Sequence, residues 1–185
     1  IPVPDGFALT ADAYWTFIDH NELRPKLTQA LALLDTENFH NLSTIGEQCR
    51  SIMMAAAFPE ALSEKIKEGY DYLIEKYGGD ISFAARSSAT AEDLPTASFA
   101  GQQETFLNVR GLDNLAKACH RCFASLFTDR AIKYRTDHGF EHMKVALSVG
   151  VQLMVRSDEA CSGVLFTIDP DTGFEQVVLI AGAWG

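Results

Sequence analysis

The chain has 185 residues, 47% of them hydrophobic and 22% charged, which is typical of a globular protein and excludes disordered and fibrous classes. Its 25 acidic and 15 basic residues give a net charge of -10, so we expect neither nucleic acid nor an anionic membrane surface as a partner. With no apolar run of 18 residues, no leader pattern and only four cysteines, the sequence predicts a cytoplasmic protein with reduced thiols and no membrane span.

The first 80 residues predict a mainly helical packing region. Pro2 and Pro4, followed by Asp5-Gly6, predict an extended entry and a turn, after which Thr10 can cap a helix. Further on, apolar residues recur at three- and four-residue steps until the Gly78-Gly79 pair, a pattern typical of a helix with a glycine stop. The predicted helices cover 10 to 20, a segment that begins near Pro25, 43 to 56, and 60 to 77.

The second half predicts strands around one helical insert. Residues 81 to 111 contain the apolar run ISFAAR and the alternating run ETFLNV, which are typical of two strands joined by a long connector. Residues 112 to 140 return to the helical pattern, and Thr128 or Asp129 can cap the second helix of this insert. Residues 141 to 185 hold the strand VALSVGVQLMV, bent at Gly150, and a strand pair around the turn DPDTGF. Helices followed by strands indicate an α+β (mixed α/β) fold.

The connector from Ser87 to Gln103 carries the strongest sign of function, because long connectors between strands often bind ligands. Its small residues, including Gly101, allow several backbone N–H groups to approach one anion. Arg86 precedes the connector and could hold a phosphate through two parallel hydrogen bonds. Neither GxxxxGK[ST] nor GxGxxG occurs, which excludes the two commonest nucleotide signatures. On these residues alone, an exposed and merely flexible loop is the better interpretation, and a phosphate site is the alternative.

A family resemblance is carried, in order and spacing, by ARSSATAED, ASFAGQQETFLNVRG, FASLFTDRAIKYR, VALSVGVQLMVRSDEACSGVLFTIDPDTGF and AWG. These segments resemble the nucleotide-binding domain of the dikinase family, which includes phosphoenolpyruvate synthase (pyruvate, water dikinase), pyruvate, phosphate dikinase and rifampicin phosphotransferase. Within the family, ETFLNVRG and GVLFTIDPDTGF look most like the synthase. The resemblance covers nearly the whole chain and implies an ATP-grasp fold, in which two subdomains hold ATP.

The resemblance implies a phosphate side of the ATP site. Arg86 would contact the phosphates and act catalytically, stabilising charge on the transferred phosphoryl group together with Mg²⁺. Gly101 and Thr105 would cover the phosphates from the connector. The resemblance assigns no metal ligand within the printed residues.

The resemblance also implies an adenine side, formed by the strands of residues 141 to 185. Gln152 would lie beside the base, with Met154 and Val155 as its apolar neighbours. Without the family, plain core would be the better interpretation of Met154 and Val155.

Several features of the family lie outside the printed residues. Family members carry a lysine in a GGK-type motif before IPVPDGF and an acidic metal-binding residue in a GLGE continuation of AWG. They also carry a phosphohistidine domain and a pyruvate-binding barrel. We therefore expect the chain to be an incomplete ATP-grasp domain that binds ATP weakly by itself, with pyruvate and the phosphohistidine domain as partners in the full enzyme.

The predicted function is the ATP-binding part of a phosphoenolpyruvate synthase, which converts ATP, pyruvate and water to phosphoenolpyruvate, AMP and phosphate through a phosphohistidine and supplies gluconeogenesis. Two alternatives stay open. The chain could belong to a related phosphotransferase such as rifampicin phosphotransferase, or to a non-catalytic module that senses nucleotides. The acceptor substrate separates the first alternative from the synthase, and ATP turnover separates the second.

Other candidate sites have simpler interpretations. Cys119 and Cys122 have the spacing of half a zinc site but lie on an apolar helix stripe, which favours core thiols. Asp169 and Asp171 are typical of a turn, although a metal there stays open. The five scattered histidines suggest no chemistry. A basic group predicted to lie on a solvated face, with contact to another domain as the alternative, comprises Arg121, Arg130, Lys133 and Arg135.

Overall fold

The computed structural model describes residues 3–89, 93–94, 97–98 and 104–184, and only the backbone of the two short segments at 93–94 and 97–98. The described residues form six α-helices and eight β-strands, which confirms the predicted mixed α+β class. The helices are α1 (Ala11–His20), α2 (Leu23–Leu31), α3 (Leu42–Ala55), α4 (Glu60–Tyr77), α5 (Leu112–Ala124) and α6 (Asp129–Asp137). The strands are β1 (Gly6–Leu9), β2 (Phe83–Ala89), β3 (Asp93–Leu94), β4 (Ala97–Ser98), β5 (Thr105–Val109), β6 (Leu147–Leu153), β7 (Cys161–Phe166) and β8 (Leu179–Trp184).

The chain divides into two compact units, Ile1–Met154 and Val155–Gly185. The first unit contains all six helices and a four-stranded antiparallel sheet in the order β1-β6-β2-β5. The second unit contains the antiparallel pair of β7 and β8. No helix of the described residues is both long and apolar enough to cross a membrane.

The two faces of the four-stranded sheet differ, because successive side chains of a strand point to opposite sides. One face packs against helices and contributes Leu9, Phe83, Ala85, Val149 and Val151 to the hydrophobic core. The other face, which we call the open face, carries residues that alternate with these, and most of them are small or polar. The members of the open face are Gly6, Ala8, Ala84, Arg86, Ser88, Thr105, Ser148, Gly150 and Gln152.

The helices form two layers behind the sheet. α1, α4 and α5 contact the strands, while α2, α3 and α6 pack against these helices and one another. An aromatic cluster lies in the centre of the helical part: the Phe123 ring is 5.2 Å from that of Tyr14 and 5.7 Å from that of Phe17, measured between centroids. Aromatic pairs at such distances, edge-to-face for Tyr14 and tilted for Phe17, add to the free energy of burial. The helical packing therefore fixes the sheet from one side only.

A β-bulge shapes the edge strand β5. Phe83 pairs with Val109, and Ala85 pairs with Phe106. Between these two pairs the chain advances by two positions along β2 but by three along β5. Asn108 accommodates the extra residue with a positive φ of 56°, a conformation that asparagine tolerates better than most residues. As a result, Phe106 and Val109 both pack towards the core, while Thr105 remains opposite Arg86.

The second unit is a hairpin with a side-chain-stabilised turn. The Asp169 carboxylate accepts hydrogen bonds from the backbone N–H of Asp171 (3.0 Å) and the hydroxyl of Thr172 (2.8 Å), and these bonds lower the pKa of the carboxyl. The backbone N–H of Gly173 donates to the Asp169 carbonyl at 2.8 Å. These contacts confirm the predicted turn at DPDTGF.

Most predicted elements are confirmed, with one strand missed. The helix over 60 to 77 has the predicted bounds, and the hydroxyls of Thr10 and Thr128 cap α1 and α6 as predicted. The prediction of a turn at Asp5-Gly6 is wrong, because β1 begins at Gly6 and pairs with β6. β6 pairs with both neighbours without a register shift at Gly150, so the predicted bend interrupts no pairing.

Candidate functional site

Three of the residues that the sequence singles out lie together on the open face. Arg86 of β2 is directly opposite Thr105 of β5 on one side and Gly150 of β6 on the other. Gln152 lies two residues beyond Gly150 and therefore points to the same face. Because directly opposed residues of paired strands have Cβ atoms about 5 Å apart, one ligand could contact all three side chains.

A groove of about 450 Å³ runs over β1 and β6 beside these residues. Gly150 and Ala8 are paired across its floor, and neither has a side chain larger than a methyl group. A glycine in a strand often marks close approach of a ligand or another backbone. The residues lining the groove are Pro4, Asp5, Gly6, Phe7, Ala8, Gly150 and Gln152.

Arg86 is the candidate phosphate-binding residue of the open face. The residue is exposed although it lies in the middle of a paired strand. Within the described part of the chain, no carboxylate lies within ion-pair distance of Arg86. An exposed arginine on a sheet face, with no ion-pair partner among the described residues, is suited to bidentate binding of a phosphate.

Both ends of the connector are fixed beside Arg86. The backbone N–H and the hydroxyl of Ser87 both donate to the Glu104 carbonyl, at 3.3 Å and 3.0 Å. Thr105 follows immediately and is exposed. Gly101, which the family resemblance places over the phosphates, lies outside the described residues.

The predicted neighbours of the adenine lie at the end of the first unit and the beginning of the second. The backbone N–H of Met154 donates to the Ser82 carbonyl at 2.9 Å, which keeps Met154 beside the end of the sheet. Val155 belongs to the second unit, and its side chain is 67% exposed. Met154 therefore shares a unit with Gln152, whereas Val155 does not.

The cysteines of the possible zinc site are buried, in agreement with the core interpretation. Cys119 and Cys122 contribute to the hydrophobic core, and burial raises the pKa of both thiols, that of Cys119 to about 12. His120 lies between them, where burial lowers its pKa and Met53 O lies 2.8 Å from its Nε2. Among residues 3–89 and 104–184, no group of three or more His, Cys, Asp or Glu could hold a metal ion.

The sequence pattern places Arg135 on a solvated basic face, and this prediction is wrong. The side chain is 1% exposed, its Nε donates to His142 Nδ1 at 2.9 Å, and its Nη2 donates to the Leu126 carbonyl. Burial lowers the pKa of Arg135 to about 10. The other three members of the basic group are exposed. Arg135 thus connects α6 to the Ser125–Phe127 turn instead of offering a charge to a partner.

The structure adds residues that sequence reasoning missed. Gly150 and Asp5 both line the groove, and Asp5 is paired with Lys76 of α4 at 2.8 Å. Glycine within an otherwise apolar strand is a signal that could have pointed to Gly150. No local signal could have pointed to the Asp5–Lys76 pair, because 71 residues separate the two partners.

Comparison with known proteins identifies the family of this chain. The model for the pyruvate phosphate dikinase, AMP/ATP-binding domain, matches residues 1–185. The chain belongs to this family. This dikinase domain is 53% identical over 186 residues to a phosphoenolpyruvate synthase of Neisseria meningitidis serogroup B (strain MC58) and 52% identical over 186 residues to one of Aquifex aeolicus. It is 50% identical over 185 residues to one of Escherichia coli K12.

The dikinase domain corresponds to less than a quarter of these relatives. Each match covers 100% of this chain but only 22% or 23% of the relative. The segments that resemble the dikinase family in the sequence are thus parts of a match along the entire chain.

The described residues around the groove of the dikinase domain do not form a magnesium site by themselves. Asp5 is the one carboxylate among the groove-lining residues, and its Oδ2 already accepts from Lys76 and from the Tyr77 hydroxyl. Mg²⁺ commonly takes one or two protein carboxylates and the phosphates of a substrate.

Proposed function

We propose that this chain is the ATP-binding part of a phosphoenolpyruvate synthase. The observation that carries the proposal is the identity of 50% or more, along the whole chain, to the three synthases named above. The complete enzyme would convert ATP, pyruvate and water to phosphoenolpyruvate, AMP and phosphate. A histidine on a further domain would carry the phosphoryl group between ATP and pyruvate.

In this proposal, ATP binds on the open face of the four-stranded sheet. Arg86 binds the phosphates and stabilises the charge that develops during phosphoryl transfer, which depends on positioned cations more than on covalent chemistry. Thr105 donates its hydroxyl to the same phosphates, and Gly101 covers them. The exposure of Arg86 and its pairing with Thr105 support this arrangement.

The base lies at the other end of the groove in this proposal. Gln152 offers its amide to the adenine, and Met154 and Val155 contribute apolar surface. The groove beside Gln152 supports the placement, since Gly150 and Ala8 leave space above the strands for a flat ring.

The cellular setting forms part of the same proposal. Mg²⁺ accompanies ATP as the counter-ion of its phosphates, with no residue of this chain assigned to it. The product enters gluconeogenesis in the cytoplasm, and pyruvate and the phosphohistidine domain are partners within the complete enzyme. The division of the chain into a helical region (1–80), a phosphate region (81–111), a helical insert (112–140) and adenine-side strands (141–185) belongs to this proposal as well.

The acceptor substrate tests the function. The full-length protein that carries this segment is expected to form AMP from ATP in the presence of pyruvate, with phosphoenolpyruvate as the second product. Formation of AMP with rifampicin but not with pyruvate would show a different phosphotransferase. Binding of ATP without any turnover would instead indicate a nucleotide-sensing module. Chromatographic separation of nucleotides and an enzyme-coupled assay for phosphoenolpyruvate distinguish the three outcomes.

Gly150→Val tests the position of the groove. The nearest atom to a β-carbon at this position is Arg86 O at 3.9 Å, so the strand has room for a side chain that projects into the groove. Because the valine side chain would occupy space that the nucleotide needs, we expect the ATP dissociation constant to rise about 5- to 30-fold, which corresponds to a loss of about 1 to 2 kcal/mol of binding free energy. Isothermal titration calorimetry measures this change.

Gly79→Val is the matched control for this experiment. A β-carbon at Gly79 also meets open space, and the residue lies between α4 and β2 and not among the groove-lining residues. The control is expected to keep wild-type affinity. Equal affinities of both variants for ATP would contradict the proposed position of the nucleotide.

A further inference from the structure

The strand β1 forms one wall of the groove but has few partners of its own. It contains four residues, and in the described part of the chain it pairs only with β6. A short edge strand with one paired side is held weakly by the sheet itself. Contacts outside the sheet must therefore fix the wall.

On the core side, α4 holds β1 by close packing. The Phe7 ring lies against Gly69, where a β-carbon would be only 2.7 Å from Phe7 Cδ1. This contact anchors the middle of the wall to the middle of the helix. It leaves the beginning of the wall, at Asp5 and Gly6, without support from the core.

At the exposed end, α4 holds β1 through the Asp5 carboxylate. Lys76 Nζ donates to Asp5 Oδ2 at 2.8 Å, and the Tyr77 hydroxyl donates to the same oxygen at 3.1 Å. Asp5 Oδ1 accepts from the backbone N–H of Gly6 at 2.9 Å. Lys76 also lies over the rings of Tyr72 and Tyr77, 5.4 Å and 5.3 Å from their centroids. The last turn of α4 thus holds one carboxylate oxygen of Asp5, and the backbone of Gly6 holds the other.

The backbone of Asp5 continues this connection into β6. Its carbonyl accepts from the backbone N–H of Leu153 at 2.9 Å, and Leu153 is the residue after Gln152. Gly6 is paired with Gln152 itself. A β-carbon at Gly6 would lie 2.0 Å from Val151 O, so the two strands are in close contact here. A displacement of Asp5 therefore shifts the backbone on both sides of Gln152.

We propose that Lys76 is a positioning residue for the nucleotide site: through Asp5 it holds the β1 wall and the backbone around Gln152 in the geometry that binds the base. The inference rests on the proposed function, because it assigns a role in the same groove. The Asp5 and Lys76 side chains are 29% and 48% exposed, and ion pairs with such exposure contribute little to folding. Loss of a preorganised binding wall, in contrast, lowers ligand affinity, because binding must then also order the wall.

The experiment compares Lys76→Met, Lys76→Arg and Lys67→Met in the full-length enzyme. Lys67 is the matched control, since it lies on the same helix in an ion pair with Asp71 and does not line the groove. Lys76→Met is expected to raise the KM and the dissociation constant for ATP about tenfold, with kcat at saturating ATP within about twofold of the wild type. Lys76→Arg, which keeps the charge, is expected to restore the affinity.

Each result supports or overturns the inference. Unchanged ATP affinity in Lys76→Met, a tenfold loss that Lys76→Arg fails to restore, or an equal loss in Lys67→Met would overturn it. A melting temperature of Lys76→Met well below that of Lys67→Met, with unchanged ATP affinity, would show a purely structural pair and overturn it too. Arg86→Ala, measured in parallel, distinguishes failure of the positioning role from failure of the proposed function. If Arg86→Ala weakens ATP binding and Lys76→Met does not, the proposed function stands without the positioning role. If the wild type itself binds no ATP, the proposed function fails.

Discussion

Arg86→Ala is expected to raise the dissociation constant of the full-length enzyme for ATP about 100-fold and to lower the rate of AMP formation at least as much. The variant removes a cation that is exposed on the open face and has no ion-pair partner among the described residues. A charge-assisted bidentate bond to phosphate contributes about 1.5–3 kcal/mol, and 2.7 kcal/mol corresponds to a factor of about 100. Calorimetric titration with ATP and a single-turnover assay measure the two effects.

The effect of Arg86→Ala should be specific to its position. Arg130→Ala is the matched control, because Arg130 is an exposed arginine of α6, a helix that packs in the second layer behind the sheet. It is expected to bind ATP as the wild type does. Arg86→Lys should recover part of the affinity, since a lysine keeps the charge but not the planar pair of donors. The proposed phosphate site would be wrong if Arg86→Ala bound ATP with wild-type affinity.

The free energy of unfolding is expected to fall by about 2 kcal/mol between pH 7.5 and pH 4.5 because of one partly buried histidine, His142. In the folded protein, burial and the adjacent Arg135 lower the pKa of His142 to about 4, from an ordinary value of 6.5. Its Nδ1 accepts a hydrogen bond from Arg135 Nε at 2.9 Å, which requires an unprotonated nitrogen. The unfolded chain therefore binds a proton at a higher pH than the folded chain does.

The sign of this effect follows from linkage. Above pH 6.5 both states are neutral at His142, and the stabilisation is complete; it declines as the pH falls and is lost near pH 4. The glutamine side chain of His142→Gln can still accept from Arg135 but cannot titrate, so the pH dependence of its stability should be smaller by about 2 kcal/mol. His138→Gln is the control, because His138 is an exposed histidine that immediately follows α6, the helix that contains Arg135. Urea denaturation at several pH values measures the effect. The assignment to His142 would be wrong if the wild type, His142→Gln and His138→Gln lost the same free energy of unfolding between pH 7.5 and pH 4.5.

The sequence was sufficient to predict helices and strands whose apolar residues recur regularly, but not the elements that lack such a pattern. The helix over 60 to 77 is predictable because its apolar residues recur for five turns and a glycine pair ends it. β1 has only four residues after two prolines, too few for an alternating pattern to appear. The bulge at Asn108 is not predictable from the local sequence either, because it arises when Phe106 and Val109 both pack against the core.

Arg135 shows why the burial of a charged side chain cannot be predicted from the spacing of apolar residues. Its helix is so polar that a charged side chain is expected to face water. Its burial is a tertiary effect, since the acceptors are a carbonyl at Leu126 and the ring of His142. For the candidate site, the family resemblance supplied Arg86, Thr105 and Gln152, but only the strand order places them on one face.

The alternation along β6 has a consequence for how this domain can change. Val149 and Val151 are fully buried in the core, whereas Ser148, Gly150 and Gln152 belong to the open face. In the proposed site, selection on ligand preference and selection on folding would therefore act on alternating positions of one strand and be nearly independent. A combinatorial library restricted to positions 148, 150 and 152 should yield altered nucleotide preference at little cost in foldability. A library at 147, 149 and 151 should yield mainly unfolded chains.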